Sequence, residues 1–430
     1  MNLFKLKEHQ TTVAKEASAG FTTFLTMMYI IPVNATIMSE AGMPIHALIA
    51  ATAWITIFST ILNGLWANTP VAMSVGMGLN AYFTFGLVLG MKIPWETALG
   101  IVFLSGIIFL ALCFTNFRIW VLKSIPMDLR RAISAGIGTF ISFVGLKQMG
   151  LIVHNDATLV GLGNLNDANI LIGVLGLFFV VVFWALKIKG AFIVAVFATS
   201  IVAWITGVAP YPTEFFSMPS SIAPIFLKLD IASAFSLSLL PVIITFFITD
   251  LFDSLGTLSG VGNRANIFDK NAIDGVKKLE KTLEADAAAT VAGSLLGVST
   301  TTAFAESASG VEEGGRTGLT AVFTGLFFVL TLFMLPLFSA IPANAIYPVL
   351  IMVGVLMFSE LGKVDYSDSA IVLAVFFIVI LMPLTYSITT GLAFGFIAYF
   401  FVRLVKREFE YLNLGIIVLA AISLLSFIVR

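Results

Sequence analysis

The sequence contains few of the residues that build metal centres and disulfides. One cysteine, Cys113, occurs in 430 residues, together with three histidines, His9, His46 and His154. A single cysteine excludes an internal disulfide and most thiolate metal sites. Because the histidines are scattered outside the long apolar runs, a histidine-based metal centre is not expected either. The sequence predicts neither a metal site nor an organic cofactor.

Charged residues are also scarce, at 11% of the chain against 59% hydrophobic residues, and the mean hydropathy is +1.03. A soluble chain of this length would need far more polar surface to cover its cores. Apolar runs of about twenty residues recur along nearly the whole chain, each long enough to cross about 30 Å of hydrocarbon as a helix. The polar stretch 1–19 leads directly into the first run, so no cleaved signal peptide is expected. These features predict a multi-pass protein of the cytoplasmic membrane.

Polar breaks divide the apolar runs into fourteen predicted spans, which makes the expected fold class an all-α polytopic membrane protein. The predicted spans are residues 17–39, 47–66, 69–90, 96–115, 131–150, 168–186, 189–208, 237–260, 283–296, 299–315, 317–339, 343–359, 367–385 and 388–405. A further apolar run, 411–429, either crosses the membrane or lies along its surface.

The distribution of lysine and arginine predicts the orientation in the membrane. With a cytoplasmic N-terminus, nineteen of the 23 basic residues fall on the inner side, and only Lys92, Lys147 and Lys228 fall on the outer side. Both chain ends are therefore expected in the cytoplasm. The basic segment 269–283 is expected to form a separate interfacial helix that rests on anionic membrane lipid.

A second set of seven predicted spans follows the polar segment 209–235. Because seven is odd, this set enters the membrane from the opposite side, as in an inverted repeat. The third span of each half begins with residues that disfavour a continuous helix: Pro and Gly in 70–80, and a Ser/Thr cluster in 297–306. Each is predicted to be a short strand followed by a half-helix that starts near mid-membrane. The free N–H groups and positive dipole ends of two such half-helices would form a polar pocket.

Three carboxylates interrupt the apolar segments: Asp250 and Asp253 in predicted span eight, and Glu306 in span ten. An ionised carboxylate in hydrocarbon is costly, so it is retained where it lines a polar cavity, carries a proton or binds a ligand. Asp250 and Asp253 are three residues apart and are predicted to share one helix face, which Thr257 continues. Glu306 is predicted to stand at the start of the second half-helix. The alternative for one aspartate is an ion pair with Arg264 or a lysine near the cytoplasmic end.

Other polar residues have two interpretations each. Asn80, in the first half-helix, either lines the pocket or only caps the helix. Asn34, in span one, either lines the pocket or holds two helices together. Glu312 and Glu313 fall near the cytoplasmic exit of span ten, where a local ion pair with Arg316 is expected.

Four strings of residues closely resemble the motifs of a known family. They are Asp250-Leu-Phe-Asp253-Ser-Leu-Gly-Thr257-Leu, Ser299-Thr-Thr-Thr-Ala-Phe-Ala-Glu306-Ser-Ala-Ser-Gly310-Val, Gly314-Gly-Arg316-Thr-Gly and Val75-Gly-Met-Gly-Leu-Asn80-Ala. The chain resembles the azaguanine-resistance (AzgA-like) purine permeases, a branch of the xanthine/uracil permease family of nucleobase–cation symporters. The likeness extends over essentially the whole chain.

The resemblance implies two interlocked seven-span inverted repeats that form two domains. The implied parts are a cytoplasmic tail at 1–16, a substrate-binding core domain at 17–116 and 236–340, a gate domain at 117–210 and 341–405, and a C-terminal apolar segment at 406–430. It also implies a homodimer that forms through the gate domain.

The resemblance further implies which residues bind the substrate. The matching positions are Asp253 and Thr257 in span eight, Ala305 and Glu306 in span ten, and Leu79 or Asn80 in span three. Ala305 would offer its backbone. The chain departs from the family pattern at Glu312 and Glu313, where small residues are expected.

The function implied is proton-coupled import of a neutral purine base, such as hypoxanthine, guanine or adenine, by alternating access. Asp253, Glu306 or Asp250 would carry the coupling proton, and no nucleic-acid partner is expected. Three alternatives stay open: a uracil or xanthine carrier of the sister branch, an inorganic-anion transporter of the same architecture, and an intramembrane hydrolase whose paired carboxylates do acid–base chemistry.

Overall fold

A computed structural model describes residues 3–115, 125–265, 267–268 and 274–428. The helices in these residues are α1 Val13–Met27, α2 Ile30–Ser39, α3 Ile45–Trp66, α4 Met77–Ala81, α5 Trp95–Cys113, α6 Met127–Gln148, α7 Ala168–Ala185, α8 Ala191–Ile205, α9 Ile231–Ala234, α10 Leu240–Ala265, α11 Gly275–Leu296, α12 Ser307–Glu312, α13 Gly318–Phe328, α14 Leu335–Ser339, α15 Ala343–Phe358, α16 Ser369–Leu384, α17 Ile388–Val405 and α18 Leu414–Ile428. The strands are β1 Met73–Val75, β2 Ile152–Asn155, β3 Leu159–Leu162 and β4 Thr301–Ala303. A π-helix at Tyr82–Gly90 continues α4, and 3-10 turns occupy Val329–Phe333, Ser359–Lys363 and Phe409–Tyr411.

Eight helices in the described part of the chain are long and apolar enough to cross a membrane, and five shorter apolar helices accompany them. The chain is therefore an integral membrane protein, as the hydropathy predicts. The number of fourteen crossings stays a prediction. The C-terminal apolar run forms α18, which contacts α17 and α10.

The first predicted span is broken into α1 and α2 by a proline. Pro32 has no N–H, so it cannot bond to the carbonyl of Met28 one turn earlier, and its ring crowds that carbonyl. The Met28 carbonyl accepts instead from the Ile31 N–H at 3.3 Å, and regular helical bonding resumes with the Val33 N–H on the Tyr29 carbonyl at 3.2 Å. Tyr29, which is fully buried, is thereby placed at a bend inside the membrane region.

The strands β1 and β4 come from predicted spans three and ten and pair with each other. They are antiparallel, with Met73 opposite Ala303, Ser74 opposite Thr302 and Val75 opposite Thr301, and all six residues are buried. The half-helices α4 and α12 follow them closely. Both predicted strands, each with its half-helix, are confirmed. Pairing gives the backbone of these broken spans the hydrogen bonds that lipid cannot supply.

Each of these strands is anchored by one threonine. The Thr60 hydroxyl accepts from the Met73 N–H at 3.1 Å and donates to the Met73 carbonyl at 2.8 Å. The Thr290 hydroxyl likewise accepts from the Thr301 N–H at 3.1 Å and donates to the Thr301 carbonyl at 2.9 Å. Met73 and Thr301 are the first residues of β1 and β4. The two halves of the chain therefore hold their strands with the same residue type in the same geometry.

The most extensive helix contacts fall into two groups. One group contains α1, α3, α5, α10, α11, α12 and α13, and the other contains α6, α7, α8, α15, α16 and α17. Helices of the first group belong to the implied core ranges, and helices of the second belong to the implied gate ranges. The implied boundary at 116–117 lies outside the described residues.

The basic segment 269–283 does not form a separate interfacial helix, so that prediction was wrong. Residues 275–283 are the first turns of α11, and residues 269–273 lie outside the described part. No proline or glycine occurs between 276 and 292, and the alanine, leucine, glutamate and lysine residues there favour helix, so one helix continues into span nine. Lys278 is buried, with its Nζ atom 3.1 Å from the Nε2 atom of His9.

Candidate functional site

One face of α10 borders open space in the middle of an apolar helix. Gly256 and Gly260 are exposed, and a Cβ atom added to either would meet no described atom within 4 Å. Asp253 and Thr257 are half-buried on the same turns. These positions are three or four residues apart, so they lie along one helix face. The acid predicted in span eight therefore lies on a helix face that borders open space rather than packed side chains.

Glu306 approaches this region from the strand β4. It directly precedes the first residue of α12, which confirms its predicted place at the start of the half-helix. Glu306 is half-buried and its neighbour Ala305 is exposed. The hydroxyl of Tyr29 donates to Oε1 of Glu306 at 2.5 Å.

The structure brings Asp253 and Glu306 together. Their carboxylates lie close enough for the two charges to repel each other, and α10 packs against α12. Within the described residues, no lysine, arginine or histidine forms an ion pair with either carboxylate. Ala305, which is exposed, directly precedes Glu306, and Thr257 lies one turn after Asp253. This open face of α10 therefore offers hydrogen-bond acceptors and few fixed positive charges.

Asp250 has a different environment from Asp253, although their spacing predicted a shared face. Asp250 is buried, and its Oδ2 atom accepts a bond from the Thr290 hydroxyl at 3.0 Å. Three residues leave about 60° between two side chains around a helix. That angle turns Asp250 toward α11, while Asp253 lies on the face that borders open space. The side chain of Arg264, the alternative partner of an aspartate, lies outside the described part.

A fourth carboxylate, Asp286 on α11, was missed by the sequence reasoning. It is fully buried, its charge repels that of Asp250, and its Oδ2 atom accepts from the Ser254 hydroxyl at 2.5 Å. The Oδ1 atoms of Asp250 and Asp286 have no hydrogen-bond partner among the described residues. An acid inside predicted span nine, followed by three alanines, was the available signal. The structure thus contains a second pair of carboxylates behind β4.

Comparison with known proteins identifies the family. The model of the Permease family Xan_ur_permease matches residues 14–394. The chain belongs to this permease family. The resemblance seen in the sequence motifs is confirmed, and the permease is a transporter and not an enzyme. This excludes the intramembrane hydrolase.

Two curated relatives and one solved structure describe how similar the permease is to known proteins. It is 40% identical to the adenine permease AdeP of Escherichia coli K12, over 99% of the chain and 95% of the relative. It is 36% identical to the guanine/hypoxanthine permease PbuO of Bacillus subtilis, over 97% of the chain and 98% of the relative. The transmembrane domain of the cyanobacterial bicarbonate transporter BicA superposes with a TM-score of 0.66 at 14% identity, covering 88% of the chain and 97% of that domain. The last comparison shows a shared fold only.

The span-three residues of the permease are buried in a polar contact. Asn80 donates to Oδ1 of Asn34 at 2.5 Å, and Asn34 donates to the Thr52 hydroxyl at 2.7 Å, with all three residues fully buried. The cap of α4 is Gly76, so capping, one of the two interpretations of Asn80, does not hold. Asn80 lies in the last turn of α4, beyond the free N–H groups that a cap satisfies. For Asn34, the structure shows the helix-holding contact.

Leu79, the other span-three candidate, is also buried, with 2% of its surface exposed. Neither Leu79 nor Asn80 borders open space in the way that Ala305 and Gly256 do. The sequence-predicted substrate positions of the permease therefore separate into two sets. The span-eight and span-ten positions are exposed or half-buried, while the span-three positions are buried.

Of the local ion pair expected between Arg316 and Glu312 or Glu313, the Glu313 alternative is replaced by other contacts. The Arg316 guanidinium donates to the carbonyls of Val311 and Gly315 at 2.5 and 2.8 Å. It therefore caps the carboxyl end of α12, where carbonyls lack helical partners. Glu313 pairs instead with Lys189, directly before α8. Glu312 and Glu313 are both exposed, as expected at the end of span ten.

Proposed function

We propose that this permease imports neutral purine nucleobases and binds them between Asp253 and Glu306. The observation that carries the proposal is that Asp253, on the open face of α10, and Glu306, at the start of the adjacent α12, have charges within repelling range of each other. The sequence relatives named as adenine and guanine/hypoxanthine permeases support the same substrate class. Uracil or xanthine is the second candidate, because the family also takes its name from those permeases.

The groups at the open face of α10 could form hydrogen bonds with the edge of a purine base. An ionised carboxylate has two oxygens and accepts two N–H donors at once. Asp253 would accept N–H groups of the base, the free oxygen of Glu306 would accept another, and the backbone of Ala305 and hydroxyl of Thr257 would complete the contacts. Leu79 and Asn80 would support the site from behind. Two carboxylates would repel an inorganic anion. The fold shared with a bicarbonate transporter is therefore not expected to bring anion transport with it here.

The coupling ion is proposed to be a proton, carried by one of the buried acids. Two like charges close together in apolar surroundings repel, and a proton on one of them removes the repulsion. Asp253 and Glu306 form one such pair, and Asp250 forms another with Asp286. Thr290 bonds both Asp250 and the backbone of β4. A change of charge at Asp250 would therefore alter the hydrogen bonding of the strand that precedes Glu306.

The proposed mechanism is alternating access, in which a core domain slides against a gate domain. The separation of the helices into two packed groups supports cores at 17–116 and 236–340 and gates at 117–210 and 341–405. The matching threonine anchors of β1 and β4 support two inverted seven-span repeats. A cytoplasmic N-terminal tail at 1–16, an apolar segment at 406–430 against lipid and a homodimer through the gate complete the proposal.

Counterflow and uptake in proteoliposomes test this function directly. The purified permease would be reconstituted and assayed with labelled adenine, guanine, hypoxanthine, uracil, xanthine and sulfate, with and without an inward proton gradient. We expect saturable uptake of purine bases that the gradient accelerates. Uptake of uracil alone would favour the second candidate, sulfate uptake would support the anion alternative, and an unchanged rate in the gradient would reject proton coupling.

The contact between Lys189 and Glu313 allows a test of the sliding motion. Lys189 precedes α8 in the second helix group, and Glu313 follows α12 in the first, so their ion pair joins the two groups. Cysteines would replace both residues in a chain that also carries Cys113→Ser. A short bis-methanethiosulfonate linker is expected to reduce purine uptake to background, and a reductant is expected to restore it.

Single-cysteine variants treated with the same linker provide the control for this tether. They are expected to keep their uptake, because the linker then attaches to one helix group only. Full uptake by the cross-linked double variant would contradict relative motion of the two groups at this contact.

A further inference from the structure

Tyr29 is a residue that the sequence reasoning did not single out. It is fully buried at the bend between α1 and α2, and its hydroxyl donates to Oε1 of Glu306 at 2.5 Å. An ionised carboxylate has no hydrogen to give, so the proton of this bond belongs to the tyrosine. The bond joins residues 277 positions apart in the chain and ends on the acid that the proposed function uses.

The ring of Tyr29 makes a separate contact on the other side. It meets the ring of Phe192 on α8 edge to face, with centroids 5.2 Å apart and an interplanar angle of 84°. Such ring pairs are favourable beyond the area that they bury. In the conformation described, Tyr29 is therefore held by packing against the second helix group while its hydroxyl reaches Glu306.

We propose that Tyr29 is a positioning residue for Glu306 and thereby sets the affinity for the nucleobase. Its hydroxyl occupies Oε1, which fixes the carboxylate and leaves Oε2 for an N–H group of the base. A free carboxylate would have to be ordered when the base binds, and that ordering lowers affinity. This inference rests on the proposed function, because it assigns a partner to one of the two acids that hold the substrate.

The Tyr29→Phe variant separates the hydroxyl from the ring. It keeps the ring contact with Phe192 and removes only the bond to Glu306. We expect the KM for adenine and hypoxanthine uptake to rise about tenfold, since a hydrogen bond to a charged group is lost, while Vmax changes less than about twofold. Tyr386→Phe is the matched control, because it removes a buried hydroxyl that has no partner among the described residues. Its kinetic constants should equal those of the wild type.

A second variant, Phe192→Leu, removes the ring contact and keeps the hydroxyl. Its KM should rise much less than that of Tyr29→Phe. Equal effects of the two variants would overturn the inference, because ring packing would then explain both. An unchanged KM in Tyr29→Phe, or a loss of Vmax alone at equal protein content, would overturn it as well. Absence of purine uptake by the wild type would instead reject the proposed function, and the inference would fall with it.

Discussion

Asp253→Asn is expected to abolish purine uptake while leaving membrane insertion intact. The asparagine side chain has the same shape, but it has one acceptor oxygen instead of two and presents an NH2 group to the N–H donors of the base. Loss of one partner from a buried charged hydrogen bond costs ~2–5 kcal/mol, which corresponds to roughly 30-fold to 4,000-fold in apparent affinity. Uptake of labelled adenine and hypoxanthine in proteoliposomes measures the effect.

Asp156→Asn provides the matched control for this prediction. Asp156 lies between β2 and β3 with a fully exposed side chain, so the same chemical change there should leave uptake unchanged. Equal amounts of folded protein in the two preparations would be checked by size-exclusion chromatography. Wild-type uptake by Asp253→Asn would remove Asp253 from the substrate site.

The acids and broken helices were predictable because the membrane makes certain residues costly. A carboxylate within an apolar run is expensive, so Asp253 and Glu306 stood out in the sequence before any contact was known. Pro70 and the Ser/Thr cluster before Ala303 disfavour a continuous helix, and both segments form strands. Local chemistry was sufficient for these features, because the penalty depends on the residue and its immediate neighbours.

The partners of these acids were not predictable, because they come from distant parts of the chain. Tyr29 reaches Glu306 across 277 positions, and nothing in its local sequence marks its hydroxyl as a donor to that carboxylate. The three alanines after Asp286 mark it as an acid in an apolar stretch, but its bond from Ser254 depends on α10, which is a separate part of the chain. Side-chain direction was the second difficulty: a turn of about 60° separates Asp250 from Asp253 and places them in different surroundings.

The wrong interpretations have related causes. Capping was one interpretation of Asn80 because a half-helix was expected to start near it, but α4 starts at Met77 and the asparagine instead bonds Asn34. The basic segment before Leu283 was separated from span nine by its charge, whereas helix propensity continues through it without a break. Composition indicated which segments are polar, and hydrogen-bonding geometry decided where each helix begins.

Glu306→Gln is the second change expected to eliminate purine uptake. Glutamine keeps the length of the side chain and one carbonyl oxygen, so the Tyr29 hydroxyl can still donate to it. The other arm becomes an NH2 group that faces the donors of the base, and the residue can no longer gain or lose a proton. Because a charged acceptor is lost here too, we expect uptake with and without a proton gradient to fall at least about thirtyfold.

Two further variants serve as controls for Glu306→Gln. Glu360→Gln removes the charge of a half-buried glutamate that pairs with Lys363, far from the proposed site in the sequence, and it should transport like the wild type. Glu306→Asp keeps the charge but is one methylene shorter, which draws the carboxylate away from Tyr29, so uptake should persist with a raised KM. If Glu306→Gln transported purines at the wild-type rate under a proton gradient, Glu306 would have neither the binding nor the coupling role. If it lost only the response to the gradient, substrate binding would belong to Asp253 and proton coupling to Glu306.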